Sequence, residues 1–143
     1  MESYRDLDIY HEAKGLAIQV HALSLTLPKF ELYEEGSQIR RSSKAVTSMI
    51  VEGVARRRYK ADYIKYLIYA IGECDESINH LDFLYETQSL KDKTAYESLR
   101  ASIVILSMRI NKFTQWVEDN YVWKPSNKPT PKVKNKPSRD QAS

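Results

Sequence analysis

Apolar residues recur along this chain in alternating steps of three and four. They do so in four segments separated by polar stretches. The first carries Ile9, Ala13, Leu16, Val20, Leu23 and Leu27, and the second Ile39, Ser43, Val46, Ile50 and Gly53. The third carries Ile64, Leu67, Ile71, Cys74, Ile78, Leu81 and Tyr85, and the fourth Tyr96, Leu99, Ile103, Leu106, Ile110, Phe113 and Val117. Steps of three and four keep such residues on one face of an α-helix, the seam of a bundle. The pattern therefore predicts an all-α fold, an antiparallel up-down four-helix bundle over residues 1–123. An aspartate at Ile71 would put a carboxylate in the seam and should cost several kcal/mol.

Boundary signals are uneven. A Ser3-x-x-Asp6 box, or Asp6 alone, could start the first helix, and Thr94-x-x-Glu97 could box the start of the fourth. Pro28, the only proline before residue 125, marks the end of the first helix. Lys29–Ser37 is a connection whose shape the pattern leaves open. No glycine or proline separates Arg57 from Asp62, but clustered arginines suit a helix C-terminus and favour a break there. Ser43 and Gly53, small residues on the second seam, suggest close approach of a neighbouring backbone, the alternative being mere tolerance of small side chains. Off the seams lie Met49, Ile68, Tyr69, Val104, Ile105 and Met108. A second apolar stripe means a wider core or a subunit contact, and we read these six as an oligomer interface.

Composition adds limits. The chain has 143 residues with a net charge of +3, enough for one domain with a real core. No apolar run approaches the roughly 18 residues of a membrane span. The opening MESYRDLDIY does not resemble a secretory signal. Cys74 is the single cysteine, which excludes an internal disulfide and, with the rest, points to a cytoplasmic location. The charge is divided unevenly. Residues 1–123 hold 16 Lys+Arg against 18 Asp+Glu, whereas residues 124–143 hold 6 Lys+Arg and one acid. Four of the five prolines also fall in that last stretch, which predicts a disordered Lys/Pro-rich tail able to follow a polyanion without reading its sequence.

Chemistry concentrates in Gln38–Arg58. Arg40, Arg41 and Lys44 crowd its first turns and Arg56, Arg57 and Arg58 its last, with Lys60 following. A helix that buries one side and carries six cations suits an anionic partner. The competing assignment for the first cluster is a solvated face, or ion pairs with Glu52, Asp75 and Glu76. Tyr59, Tyr63 and Tyr66 fall on one helix face beside the second cluster and could stack on unpaired bases. Alternatively they pack on the first or second helix with their hydroxyls at the surface. A bundle can hold two metals through paired Glu-x-x-His motifs, but here Glu76 and His80 are four apart, and His11 and His21 are too far apart on one helix to share an ion. No phosphate loop, nucleophile elbow or Cys/His ligand set is present. We expect no catalysis, no cofactor and no metal.

The ordered set of motifs resembles a bacterial family of four-helix bundle proteins encoded in ribosomal-RNA intervening sequences. Its pieces are Tyr4, Asp6 and Leu7; Pro28 and Glu31; Gln38, Ile39, Arg40 and Arg41; Ala45 and Val46; Ile50, Glu52 and Gly53; and Leu67, Ala70, Gly72 and Glu76. The likeness covers about residues 4–120. Met49 replaces a usual Asn, Glu34 and Glu35 replace Gly-Leu, and Glu73 replaces a common Ser. The resemblance implies a left-handed bundle that tends to form rings, often pentamers, with no known catalysis. It also implies a fold relation to the accessory variability determinant of diversity-generating retroelements, which binds a reverse transcriptase and its RNA. The combined expectation is a non-enzymatic homo-oligomer that binds RNA or DNA in a ribonucleoprotein, with a reverse transcriptase as a further partner. A protein-interaction scaffold is the rival.

Overall fold

The computed structural model describes residues 1–125. The tail expected to be disordered lies, beyond its first two residues, outside the described residues. A 3-10 turn at Tyr4–Asp6 leads into α1 (Asp8–Ser24). A second 3-10 turn at Lys29–Leu32 precedes α2 (Glu35–Ala55), followed by α3 (Lys60–Glu86) and α4 (Lys93–Asn120). Short connections force successive helices to run antiparallel. Contacts close the circuit α1–α2–α3–α4–α1, most extensively between α2 and α3 and most thinly between α4 and α1. This is the expected four-helix bundle, and the expected break between Arg57 and Asp62 is present.

Local chemistry sets the helix ends, with adjustments to the expectation. The Ser3–Asp6 capping box forms, but it starts the first 3-10 turn and not α1. Leu7 precedes α1 without a side-chain cap. α4 starts at Asp92, whose carboxylate accepts from the Ala95 amide at 3.0 Å, so Thr94 and Glu97 do not box it. An aspartate directly before the first turn satisfies an otherwise orphaned amide, which explains the preference. α1 ends at Ser24, before Pro28, which instead opens the second 3-10 turn. Gln88 takes the left-handed conformation (φ 68°) just past the end of α3.

The seams of α1, α2 and α4 are buried largely as their periodicity requires. The seam of α3 is the expected one only in part: Leu67, Cys74 and Leu81 are buried, the other four positions are not. Its buried residues are Tyr63, Leu67, Ala70, Cys74, Ser77, Leu81 and Leu84, whereas Ile64, Ile71, Ile78 and Tyr85 are half-buried at the edge. The buried face is turned by about half a residue step, towards Tyr63, Ala70, Ser77 and Leu84, and small residues meet α2. Ser42 and Ser77 meet hydroxyl to hydroxyl at 2.8 Å across that contact. At Gly53 a Cβ would lie 3.3 Å from the Tyr66 Cβ and 3.4 Å from the Tyr63 carbonyl, which is the close approach its seam position implied. Ile64, Ile71 and Ile78 pack instead along the flank.

One buried carboxylate organises the connections. Glu31 is 2% exposed. It accepts from the Gly36 amide in the first turn of α2 at 2.9 Å and from the Ser89 hydroxyl in the α3–α4 connection at 2.7 Å. A negative group at a helix N-terminus also meets a favourable dipole. Gly36 must lack a side chain, since a Cβ would stand 2.3 Å from the Glu31 carbonyl oxygen. Asp82 of α3 ties α4 to the bundle. Its carboxylate accepts from Tyr96 Oη at 2.6 Å and Arg100 Nε at 3.0 Å. Partial burial alone would push this carboxyl up. The Arg100 and Tyr96 hydrogen bonds and the Arg100 charge together outweigh burial and hold it below its ordinary value.

Three outcomes test this packing. Leu67→Ala should cost about 2–5 kcal/mol in urea denaturation and Ile71→Ala clearly less; an equal or larger loss at position 71 would restore the expected register. Gly36→Ala should destabilise by about 1–3 kcal/mol through overpacking, read in the same titration. Asp82 has a lowered folded-state value, so the unfolded chain binds more protons in that window. Its contribution is present above the ordinary carboxyl range and is lost as pH falls through the folded value. Asp82→Asn should therefore reduce stability at neutral pH, with the gap to the parent closing as pH falls, measured by thermal melts across pH.

Candidate nucleic-acid interface

The two cationic clusters occupy opposite ends of α2, on the order of 20 Å apart at helical rise. They meet different fates. In the first, Arg40 is half-buried. It donates from Nη1 to Ser24 Oγ at 3.1 Å and from Nη2 to the Leu32 carbonyl at 2.7 Å. That guanidinium staples the end of α1 and the second 3-10 turn to α2, filling acceptors that helix termini leave open. Arg41 and Lys44 are exposed. Lys44 Nζ lies 3.1 Å from His21 Nδ1 of α1. Arg41 has no hydrogen-bond or ion-pair partner among the described residues. The alternative ion pairs with Glu52, Asp75 and Glu76 are absent among the described residues, and Glu52 instead pairs with Arg56 one turn further on, at 3.4 Å.

The second cluster straddles the α2–α3 turn. Arg56 leans over the Tyr66 ring at 4.9 Å from its centroid, and Arg58 over the Trp123 ring at 5.2 Å and Tyr59 at 5.8 Å. Lys60 begins α3 and is exposed. Arg57 turns the other way, donating to the carbonyls of Val54 at 2.9 Å and Glu2 at 3.5 Å. The three tyrosines do not share one exposed face. Tyr59 precedes α3 and is exposed, and Tyr66 packs beside Gly53 beneath Arg56. Tyr63 is buried against the end of α4, edge-on to Phe113 (6.2 Å) and Tyr121 (5.2 Å). Burial first, then the neighbouring Tyr121, raises the Tyr63 hydroxyl above its usual range, so it stays protonated.

Beside this turn a cleft of about 1030 Å³ opens between the N-terminus, Arg57 and the end of α4. Trp116, Tyr121 and Trp123 line it. Sequence patterning missed these residues, because Trp116 falls between seam positions 113 and 117 and Trp123 lies past the last helix. A large aromatic on the polar side of a helix was the available signal.

The six residues read as an oligomer interface differ in exposure. Met49 is half-buried and packs on the core, and Val104 is also half-buried. Ile68, Tyr69, Ile105 and Met108 are exposed. Tyr69 stands on the α2 side of α3, edge-on to Tyr66, while Ile68 lies about 100° round that helix. Ile105 shares the flank of Arg109, which pairs with Glu12 of α1. Two exposed residues outside the set, Ile18 and Leu25, line an apolar groove of about 490 Å³ between α1 and α2, rimmed by Lys14 and Lys44.

Other chemistry is absorbed locally. His80 Nδ1 lies 2.6 Å from Glu35 Oε2, joining α3 to α2. Burial and the adjacent Glu76 push the Glu73 carboxyl up. Cys74 is fully buried, and burial, then Asp75 and Glu73, push its thiol up to about 12, leaving it inert. Among the described residues no group of three or more His, Cys, Asp or Glu side chains could hold a metal, and no helix is long and apolar enough to cross a membrane.

Comparison with known proteins places this scaffold. A crystal structure of a protein of unknown function from the S23 ribosomal protein family of Bacteroides thetaiotaomicron superposes with a TM-score of 0.64 at 21% identity. The alignment covers 75% of this chain and 95% of that one, a likeness of fold. No curated protein matches the chain. The family model described as 23S rRNA-intervening sequence protein matches residues 5–112. That span runs from the first turn deep into α4, and the chain belongs to the 23S rRNA-intervening sequence protein family.

Proposed function

We propose that this protein is a non-enzymatic, self-associating RNA-binding bundle of a ribonucleoprotein. The observation that carries the reading is the α2–α3 turn. There Arg56, Arg58 and Lys60 stand at the surface, and two of these cations rest on exposed or half-buried aromatic rings. Cations that helix ends and carbonyls already hold, as at Arg40 and Arg57, are committed to the fold. Among the described residues those at the turn form one ion pair, Arg56 with Glu52. Arginine on an aromatic face is prepared for phosphate and base together. The family's association with ribosomal-RNA insertions supports RNA over DNA. The lysines that follow residue 123 would extend the charge along a strand.

Exposed Ile18 and Leu25, with Ile68, Ile105 and Met108 elsewhere, favour self-association. A ring, pentameric in this reading, would repeat each weak cationic turn and multiply its avidity. The same apolar faces support the second reading, a scaffold that holds a protein partner such as a reverse transcriptase without touching nucleic acid. Mass in solution by light scattering separates a monomer from either assembly.

Binding of a fluorescent single-stranded RNA, followed by anisotropy across salt, tests the main reading. Three phosphates neutralised at the turn would give a log–log slope of about −2 at roughly −0.7 each. The triple variant Arg56→Glu, Arg58→Glu, Lys60→Glu should weaken binding at least tenfold with its helical circular dichroism spectrum unchanged. Salt-independent binding, or none at low salt, removes the reading.

A further inference from the structure

We propose that the cleft at the α2–α3 end of the bundle is a pocket for an unpaired base of single-stranded RNA, which deepens the RNA-binding reading and rests on it. Three independent features converge there. First is its size. At about 1030 Å³ it stands at the upper end of the range for small-ligand sites, and it mixes apolar walls with polar rims. Second is its aromatic wall. Phe113 and Trp116 stack at 6.0 Å with rings 18° apart, and Tyr121 and Trp123 complete the lining. Trp116 is 51% exposed and Trp123 38%, large apolar surface for a soluble protein to leave wet. Third is Tyr63. It is 1% exposed, yet its hydroxyl has no hydrogen-bond partner among the described residues and it lines the cleft. The ring is buried but the hydroxyl opens on the cleft, a donor and acceptor free to meet a ligand edge.

Charge selects the kind of ligand. Arg57 and Lys124 line the cleft and Arg58 lies over the Trp123 ring at its rim, against the single carboxylate of Glu2 among the lining residues. An aromatic cage for a cation would not be ringed by guanidinium and ammonium groups. A flat, neutral base on an anionic backbone satisfies every part. Its π-face takes the tryptophans, its polar edge takes the Tyr63 hydroxyl, and its phosphates lie along Arg58 and Lys60. The cations at the turn then supply affinity and the cleft supplies the preference for unpaired strands.

Trp116 and Trp123 are the chain's two tryptophans, so selectively excited tryptophan fluorescence reports this cleft. The full chain is titrated with a short oligoadenylate and with an abasic strand of equal length and charge, and labelled anisotropy is run in parallel. Saturable quenching by the base-bearing strand only is expected, with roughly tenfold tighter binding than the abasic strand. Trp116→Ala should erase that preference without changing affinity for the abasic strand. Tyr63→Phe, which keeps the ring, should lower the preference severalfold. Equal affinity for both strands with unquenched tryptophans overturns the pocket and leaves the polyanion reading standing. Failure of both strands to bind removes both.

Discussion

The close approach of α2 to α3 is the constraint on which the rest of this molecule depends. Large side chains cannot occupy it, so Gly53, Ser42, Ala70 and Ser77 do. Their small size lets one serine hydroxyl meet the other and lets the backbone at Gly53 sit against Tyr66. With the two helices held this tightly, the turn between them is short and its direction is set. Each of its residues is then sent a fixed way: Arg56 and Arg58 outward onto aromatic rings, Arg57 inward onto carbonyls, and Tyr63 down into the end of the core.

Identical side chains therefore carry different duties. Arg40 and Glu31, both part of the motif set that marks the family resemblance, are consumed by the fold. One caps acceptors at the end of α1 and in the second 3-10 turn, and the other bridges the start of α2 to the α3–α4 connection. Their value lies in tying connections to helix ends, and for Glu31 also in satisfying the buried Gly36 amide. Arg41, Lys44, Arg58 and Lys60 keep their charge at the surface. The division follows from which carbonyls and hydroxyls fall within reach once the helices are packed. It separates cations that hold the bundle together from cations able to hold something else.

The aromatic residues show the same division by position. Tyr63 and Phe113 complete the core where α3 meets the end of α4, while Trp116 and Trp123 stand past that core with their faces in solvent. A bundle ends where its helices do, and the last turns have no neighbour to cover them. Here that uncovered end coincides with the basic turn and the N-terminus, and the three together enclose a cleft lined by rings and edged by cations.

Alternating steps of three and four were enough to give four helices, their order and most of their buried faces, because amphipathic periodicity is a one-dimensional record of which side meets the core. The existence of the Ser3–Asp6 box, though not its place ahead of α1, and the break between Arg57 and Asp62 were likewise legible, each resting on chemistry within a few residues. The register of α3 was not, since Ile64, Ile71 and Ile78 make as regular a stripe as Tyr63, Ala70 and Ser77, and only the space left by α2 decides between them. Nor could spacing reveal that Arg40 and Arg57 are already bound, that Glu52 answers Arg56 instead of Arg41, or that two tryptophans flank one cleft. Those outcomes depend on atoms brought together from distant parts of the chain. Hydrophobic pattern dictates how each helix faces the core; which polar groups are left free is decided by the partners that tertiary packing delivers.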